Sequence, residues 1–395
     1  MNSKSSIILP LKESYSNVDF GAVSIWVKDY LNYSKNKKDI VFCKKLLKTN
    51  KYLTKNVCPI NVQEKFFTNS NYIKKINIEI IKQKIKIVEI HNRPEYALYL
   101  LKNNHNLKVN VIFHNDPNTL RGSNSKRLKE KLLNKCNKLI FVSGWLKDRF
   151  FYDLKVKHNN NTEIIYNFVN LINRFPMKEK KIIFSGKLNK SKGYHIFGDA
   201  IVKILNKYPD WSAEVYGNEQ REKFNFQHKR LKIMNWIDHK KLLKIYEKSS
   251  ITIVNPTWEE PFGRTALESS SRGCAVITST SGGLSETFVN NLVLKKNNSN
   301  ELFKLISKLI DNKEFLLKIQ KANFKNVIHS PNKSIFKLNS LRNSNLLKIK
   351  KKRFKIIHIS NFGMKTNHRL FNLSIAKKIS NGLIRNGHDV INFDY

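Results

Sequence analysis

Two glutamates with the spacing of a binding site occupy a short segment that differs from the lysine- and asparagine-rich sequence around it. Glu260 lies in the stretch "TWEEPFG", and Glu268 follows in "RTALESSS". Pro261 and Gly263 interrupt the preceding strand pattern, so we predict a loop and then a helix that begins near Arg264. Carboxylates accept hydrogen bonds from hydroxyl groups, and the free amides at a helix N-terminus attract phosphate. The segment therefore predicts a site for a ligand with both groups, such as a nucleotide sugar.

Apolar runs of strand length alternate with helical runs along most of the chain. The first set of apolar runs is 5–10, 39–43, 86–91, 109–114 and 138–143, and the second is 181–186, 212–217, 251–256 and 274–279. This alternation is typical of parallel sheets with helices on both faces. We predict an α/β protein with two Rossmann-like, doubly wound domains, 1–170 and 171–332. Their facing strand ends form the ligand cleft.

The remaining residues predict a linker and a partial third domain. Residues 333–352 are polar, basic and poor in pattern, which indicates a linker. Residues 353–395 again show strand, loop, helix and strand, in the same order as the first forty residues or so. A single βαβ unit cannot cover both faces of its sheet. We therefore expect 353–395 to begin a further α/β domain that is truncated here, in a piece of a longer protein.

The charge is strongly positive, with 73 Lys and Arg against 30 Asp and Glu and a formal net charge of +43. Such a balance predicts attraction to nucleic acids or to acidic lipids. The lysines are spread over strands, helices and loops without an aromatic-interleaved basic patch, so we favour compositional bias over a nucleic-acid site. We expect no specific nucleic-acid partner and a general contact with anionic membrane surfaces.

Cysteine spacing and the apolar runs bear on the cellular compartment. The four cysteines, Cys43, Cys58, Cys136 and Cys274, form no C-x-x-C pair, which predicts reduced thiols rather than a zinc or redox site. The apolar run near the N-terminus is too short for a signal peptide, and no run reaches the roughly 18 residues of a membrane span. We predict a cytoplasmic protein, at most peripheral at the inner face of the membrane.

The string "EPFGRTALESSSRGCAVITSTSGGLSET" resembles the donor-site motif of the retaining, GT-B-fold glycosyltransferases of family 4. In that family seven residues separate the Glu of Glu-x-Phe-Gly from a second Glu, and a small-residue helix, Gly-x-x-Val-Ile and a Gly-Gly-x-x-Glu turn follow. The order of elements is similar over about residues 5–330, and the resemblance implies that 1–170 is the acceptor-side domain and 171–332 the domain that binds the nucleotide sugar. The resemblance implies that Glu260 contacts the donor sugar near its reacting carbon and that Glu268 holds the ribose. It also implies that backbone amides around Phe262, Gly263 and Arg264 contact the diphosphate.

A second stretch, "FSGKLNKSKG", resembles the family motif in which an Arg follows a strand-ending glycine and a Lys-Gly pair comes shortly after. Lys187 stands at the Arg position and Lys192 at the Lys position, so both are implied diphosphate ligands. Preorganised cations stabilise the charge on a departing diphosphate without a metal. An ammonium group lacks the guanidinium fork, so we expect weaker phosphate contact at Lys187 than an arginine would give.

Two histidines and a glycine of the first domain are candidate site residues. His114 ends a predicted strand and matches the family's histidine that closes over the donor sugar, where it hydrogen-bonds the sugar or orients the acceptor. His91 ends another strand and is a weaker candidate, as a cleft-wall or acceptor-side residue. Gly21 stands where the family's glycine loop approaches the diphosphate, with only one of the usual two glycines. Trp236 lies in the segment that reads the nucleobase in the family, or else belongs to the core.

The resemblance implies a metal-independent retaining glycosyltransferase, for a hexosyl or related group, that acts in cell-surface polysaccharide synthesis. Its partners would be a nucleotide-diphosphate sugar, as co-substrate, and a glycan or lipid-linked acceptor, with no cofactor. The chain also lacks an Asp-x-Asp pair at a strand end, which disfavours the metal-dependent transferases. Three alternatives stay open: a sugar-nucleotide epimerase or phosphorylase of the same fold, a non-catalytic polyanion-binding protein, and a non-catalytic scaffold.

Overall fold

The computed structural model describes most of the chain, and the chain divides into two compact units that separate between Lys337 and Leu338. The first unit contains two parallel-sheet domains, and the second contains a smaller sheet. The described residues are 5–17, 20–34, 39–46, 51–62, 68–156, 159–219, 222–287, 292–346, 355–360, 375–385 and 388–393.

The first domain is built on a seven-stranded parallel sheet with the strand order β3-β2-β1-β4-β5-β6-β7. Its strands are β1 Ser5–Ile8, β2 Ile40–Lys44, β3 Val57–Ile60, β4 Ile87–His91, β5 Lys108–Phe113, β6 Lys138–Phe141 and β7 Thr162–Ile164. Its helices are α1 Ala22–Tyr33, α2 Thr68–Lys82, α3 Pro94–Asn103, α4 Lys126–Lys135 and α5 Gly144–Phe151. The strand order reverses between β1 and β4, where Ile7 lies beside Val41 on one side and Glu89 on the other. Ligands of doubly wound sheets bind outside such a switch point.

The second domain repeats this plan with six parallel strands in the order β10-β9-β8-β11-β12-β13. The strands are β8 Glu179–Ser185, β9 Ser212–Tyr216, β10 Leu231–Met234, β11 Ser249–Val254, β12 Ala275–Thr278 and β13 Leu292–Val293. The helices are α6 Tyr194–Lys207, α7 His239–Lys248, α8 Arg264–Ser271, α9 Ser299–Asp311 and α10 Lys313–Lys325, and α11 Pro331–Leu346 follows them in the chain. The switch point lies between β8 and β11. The prediction of two doubly wound α/β domains is confirmed.

Local sequence signals and burial explain where these elements form. Pro94 occupies the first turn of α3, where its missing amide hydrogen costs nothing. Asn298 caps α9 by accepting a hydrogen bond from the Glu301 amide at 2.9 Å. The core of the second domain packs α6 against the sheet, with Phe184 and Phe197 at the contact and almost no exposed surface. Burial of such side chains supplies the main stabilising free energy, roughly 1.5–3 kcal/mol for each.

Helix α11 covers much of the segment that the sequence predicts to be a linker. Its residues lack a periodic apolar stripe, but its first turns dock on the first domain through individual contacts. Ile335 is buried, Ser334 Oγ donates to the Tyr166 carbonyl at 2.9 Å, and Lys337 pairs with Glu163 at 3.1 Å. The residues that α11 contacts are far from it in the sequence. The polar composition of 333–346 alone therefore does not predict a helix.

The second compact unit has the strand, helix and strand order expected for 353–395. Strands β14 Lys355–Ile359 and β15 Asp389–Phe393 pair in parallel, and helix α12 spans Ile375–Arg385. Ile357 and Phe393 keep more than half of their surface exposed. Among the described residues of both units, no helix is long and apolar enough to cross a membrane.

Candidate functional site

Two adjoining cavities lie between the first and second domains, at the carboxyl ends of their strands. The large cavity, of about 600 Å³, extends from Glu13 and Phe20 of the first domain to Trp236 and Glu268 of the second. The small cavity, of about 430 Å³, is lined by His114 and Asn167 of the first domain and by Trp258 and Glu260 of the second. Both cavities are lined by the same four residues where they meet: Ala22, Lys187, Lys192 and Arg264.

Glu260 and Lys192, which the sequence assigns to one site, form an ion pair at the small cavity. Lys192 Nζ lies 2.6 Å from Glu260 Oε2, and both side chains are mostly buried. Trp258 Nε1 donates to the same carboxylate oxygen at 3.0 Å, and the ammonium group lies 4.8 Å from the centre of the Trp258 ring. Partial burial strengthens such charged contacts, since less water screens them. The tryptophan therefore holds the two charged groups in place.

Glu268 is buried in a charged network at the large cavity. Its Oε1 accepts a hydrogen bond from Arg264 Nε at 2.5 Å and lies 2.8 Å from His239 Nε2. Burial alone would raise the pKa of Glu268, but the charges of His239 and Arg264 outweigh that effect and lower the pKa to about 2. Glu268 is thus a carboxylate at any physiological pH. Arg264 also pairs with Asp29 of α1, across the domain boundary.

The N-terminus of α8 faces the cavities, as expected for a phosphate site. Gly263 precedes the helix with a φ of 96°, and a β-carbon there would lie 2.2 Å from Leu284 Cδ1. Only glycine fits this left-handed conformation without strain. Phe262 turns inward, is 2% exposed, and packs near the rings of Tyr166 and His329. Its side chain fixes the loop, which leaves the backbone at the cavity surface.

The glycine turn of residues 282–286 supports the Glu260 loop from behind. Gly283 N donates to the Glu260 carbonyl at 2.8 Å. A β-carbon on Gly282 would lie 2.3 Å from that carbonyl oxygen, and one on Gly283 would lie 2.4 Å from the Pro261 carbonyl oxygen. Real β-carbons do not approach a backbone so closely. The two glycines are therefore required for the turn to pack directly against the peptide groups on either side of Pro261.

Glu286, at the end of the same turn, binds the other domain. Its two carboxylate oxygens accept hydrogen bonds from the amides of Gly144, at 2.7 Å, and Trp145, at 2.8 Å. These amides form the first turn of α5, so a carboxylate of the second domain caps a helix of the first. Ser143 Oγ adds a hydrogen bond to the Pro261 carbonyl at 2.7 Å.

His114 and His91 form a hydrogen-bonded pair behind the small cavity. His114 Nε2 lies 2.8 Å from His91 Nδ1, and both rings contact Trp26. Burial, together with the positive charge of Arg264, lowers the pKa of His114 to about 3. The imidazole is therefore neutral near pH 7 and carries one N–H, which is available to a ligand when Nε2 accepts from His91 Nδ1. The fully buried His91 lies behind His114 and orients it, whereas His114 itself lines the cavity.

Lys187 lines both cavities but is less firmly placed than Lys192. Its ammonium group lies 2.7 Å from Glu219 Oε2, and its side chain is 51% exposed. An exposed ion pair of this kind contributes little, because solvent screens it. The structure thus brings Lys187 to the site without a direct contact to Glu260.

Gly21 lies at the N-terminus of α1, where the sequence analysis expected amides to approach a diphosphate. Glu13 reaches this position, since its carboxylate accepts a hydrogen bond from the Ser24 amide at 2.9 Å. A β-carbon on Gly21 would lie 2.5 Å from Glu13 Oε1. A phosphate at Gly21 would therefore meet a carboxylate unless Glu13 moved away.

An aromatic contact closes the far end of the large cavity. The ring of Phe20 meets Trp236 edge-on, with ring centres 4.8 Å apart. Phe20 belongs to the first domain and Trp236 to the second, and both line the cavity. Trp236 therefore lies at the cleft rather than in the core.

Four contributors escaped the sequence analysis: Glu13, Asp29, His239 and Trp258. Asp29 is 235 positions from its partner Arg264, so no local pattern relates them. Trp258 had a usable signal, since it is an aromatic residue two positions before Glu260 in the loop that carries the motif.

Residues 171–326 match the family described as Glycosyl transferases group 1. Spore coat protein SA of Bacillus subtilis is 26% identical over 118 residues, which cover 27% of this chain and 31% of that protein. The chain thus matches about a third of that relative's length. The putative glycosyltransferase YtcC of Bacillus subtilis is 22% identical over 294 residues, 65% of this chain and 72% of that protein.

Solved structures share the two-domain architecture. A glycosyltransferase from Rickettsia africae aligns with a TM-score of 0.70 and 20% identity, over 88% of this chain and 100% of that one. Anabaena HepE in complex with UDP-glucose aligns with a TM-score of 0.66 and 15% identity, over 87% and 99%. The likeness establishes the GT-B fold for the two domains.

Proposed function

We propose that this chain, as a glycosyltransferase whose second domain matches the group 1 family, moves a sugar from a nucleotide-diphosphate donor to a glycan or lipid-linked acceptor. One observation carries the proposal. Glu268, which is predicted to hold the ribose, lines the large cavity, and Glu260, which is predicted to contact the sugar, lines the small cavity. Three cations, Lys187, Lys192 and Arg264, line both cavities where they meet. A nucleotide sugar has the same order of groups, with its diphosphate in the middle.

The donor would lie along the two cavities in that order. Its nucleoside would occupy the large cavity between Phe20 and Trp236, with the ribose hydroxyls at Glu268. Its diphosphate would lie at the N-terminus of α8 beside Lys192, and its sugar would reach Glu260 and His114 in the small cavity. The UDP-glucose bound by Anabaena HepE, a protein of the same fold, supports a nucleotide sugar as the donor class.

The residues would act mainly by electrostatic stabilisation. As the bond from the sugar carbon to the phosphate oxygen breaks, the diphosphate gains negative charge, which Lys192, Lys187 and the α8 amides oppose. Family resemblance suggests attack on the same face of the sugar, with a leaving phosphate oxygen taking the proton of the acceptor hydroxyl. The neutral imidazole of His114 would donate its N–H to the sugar or the acceptor. No step in this scheme requires a metal.

The acceptor is proposed from the charge of the chain and from the resemblance. The net charge of +43 suits a negatively charged glycan or a lipid-linked acceptor at an anionic membrane surface. Peripheral contact with the membrane is proposed on the same ground.

The test compares donor binding by four proteins: wild type, Glu260→Ala, Lys192→Ala and Glu259→Ala. Glu259 adjoins Glu260, but its side chain is 62% exposed and it lines neither cavity, so it controls for the loss of one carboxylate. We expect one of the uridine, guanosine or adenosine diphosphate sugars to raise the melting temperature of wild type and Glu259→Ala. Each of the other two variants should bind that donor roughly 10- to 100-fold more weakly, because a charged contact is lost.

Equal shifts in all four proteins would remove the assignment of Glu260 and Lys192. Turnover of the donor without an acceptor would favour the epimerase or phosphorylase alternative. Binding to any polyanion that disappears at moderate salt, without binding of a sugar nucleotide, would favour the non-catalytic alternative. Proton NMR of the anomeric linkage in the product would test retention.

A further inference from the structure

Arg264 lines both cavities where they meet, and its guanidinium group pairs with one carboxylate from each domain. It is the first residue of α8, and its guanidinium group is bound on one side by Glu268, four residues later in the same helix. On the other side it is bound by Asp29, from α1 of the first domain. Its third nitrogen, Nη1, is buried and has no hydrogen-bond partner among the described residues.

A buried donor without a partner is costly, because it has lost its hydrogen bonds to water and gained none in the protein. The contact with Glu268 is intrahelical and keeps the base of the side chain at the α8 N-terminus. The contact with Asp29 involves the outer end of the guanidinium group and depends on the position of the other domain. Asp29 is therefore the partner that Arg264 can release while its attachment to α8 stays intact.

The two neighbouring lysines of the cleft cannot supply the contacts of a guanidinium group. Lys187, at the position where the family has an arginine, is half-exposed and paired with Glu219. Lys192 is paired with Glu260. Neither ammonium group can bind two phosphate oxygens in the forked geometry of a guanidinium. Arg264 is the guanidinium that lines both cavities where they meet, and its charge already reaches His114, whose pKa it helps to lower.

We propose that Arg264 exchanges the Asp29 carboxylate for the donor diphosphate, and so supplies the fork that Lys187 cannot give. The inference rests on the proposed function. In this exchange Glu268 keeps its hydrogen bond to Nε, and the phosphate oxygens take the outer nitrogens, including the one that has no partner. Asp29 is then a competitor of the diphosphate, and its negative charge weakens donor binding. Arg264 acts through its side chain, in addition to its backbone amide.

The test measures, by calorimetry, the binding of UDP, GDP and ADP and of their parent nucleosides, uridine, guanosine and adenosine. Arg264→Gln should bind the preferred diphosphate roughly 10- to 100-fold more weakly than wild type, with a much smaller loss of nucleoside affinity, because His239 still holds Glu268 at the ribose position. Arg264→Lys keeps the charge but not the fork, so its loss should be intermediate. Asp29→Asn keeps an oxygen acceptor for Arg264 but removes the competing charge, so diphosphate affinity should rise about 3- to 10-fold.

Arg127→Gln is the matched control, because Arg127 is exposed on α4, outside both cavities, and its replacement removes the same charge. It should change diphosphate affinity by less than about twofold, since distant surface charges are screened. The inference is overturned if Arg264→Gln behaves like Arg127→Gln, if nucleoside and diphosphate affinities fall by the same factor, or if Asp29→Asn does not strengthen diphosphate binding. A wild-type protein that binds none of the three diphosphates would instead overturn the proposed function, and this inference with it.

Discussion

At the residue scale, the charge state of His114 follows from its surroundings. Burial and the charge of Arg264 lower its pKa to about 3, whereas a histidine in the unfolded chain titrates near 6.5. Between these values the unfolded state binds a proton that the folded state does not. The titration of His114 therefore makes the free energy of unfolding rise with pH between about 3 and about 6.5. Above that range His114 adds no further pH dependence.

This linkage predicts that His114→Gln loses less stability on acidification than wild type does. Between pH 7 and pH 5 the difference between the two proteins should reach about 2 kcal/mol, because about 1.4 kcal/mol per pH unit is available below 6.5. Urea unfolding at the two pH values measures it. His105→Gln is the control, since His105 is exposed, and it should follow wild type. Parallel losses in wild type and His114→Gln would contradict a neutral, buried imidazole.

Site residues differed in how well the sequence predicted them. Glu260 and Gly263 belong to one local motif and Lys192 to another, so the pattern of each motif already places its residues after a strand, and the structure brings all three to the small cavity. Asp29 and Glu13 reach the site through α1 and the loop after β1. Their positions depend on how two domains meet, which a pattern read along one segment does not contain.

At the element scale, the sequence predicts the strands in the core of each sheet but not the edge strands β3 and β10. Long β-branched runs such as that of β11 predicted core strands, because burial on both faces requires continuous apolar residues. Strand β3, which contains Pro59, and β10, which is mostly exposed, lie at sheet edges and lack that signal. Tertiary pairing, rather than local propensity, makes these segments strands.

The glycine turn behind Glu260 gives a prediction for this element. Gly282→Ala should lower the free energy of unfolding by about 1–3 kcal/mol, because Gly282 has a φ of 62° and its new β-carbon would meet the Glu260 carbonyl. Donor affinity should fall as well, since the loop that carries Glu260 must shift. Chemical denaturation and donor titration measure the two effects.

Gly382→Ala is the control for this substitution. Gly382 lies inside α12, and an added β-carbon there meets no atom within 4 Å. Alanine at such a helix position should be neutral or stabilising by up to about 1 kcal/mol. If Gly282→Ala behaved in the same way, the close packing of the turn against the loop would be wrong.

At the scale of the whole molecule, Glu286 connects the donor loop to the first domain. The turn of residues 282–286 holds the Glu260 peptide at one end and, through Glu286, the first turn of α5 at the other. The His329 ring lies 2.6 Å from the Glu286 carbonyl, which fixes the turn from the second-domain side. The relative position of the two domains and the position of Glu260 are therefore coupled through one short segment.

This coupling predicts that Glu286→Ala frees the α5 amides and weakens the contact between the domains. The loss of a cap with two charged hydrogen bonds should destabilise the protein by about 1–3 kcal/mol and speed the hydrogen exchange of the Gly144 and Trp145 amides. Asn298→Ala removes a cap within the second domain alone and should cost about 1 kcal/mol without changing exchange at α5. Unchanged exchange at Gly144 and Trp145 in Glu286→Ala would mean that another group holds these amides and that Glu286 does not couple the donor loop to α5.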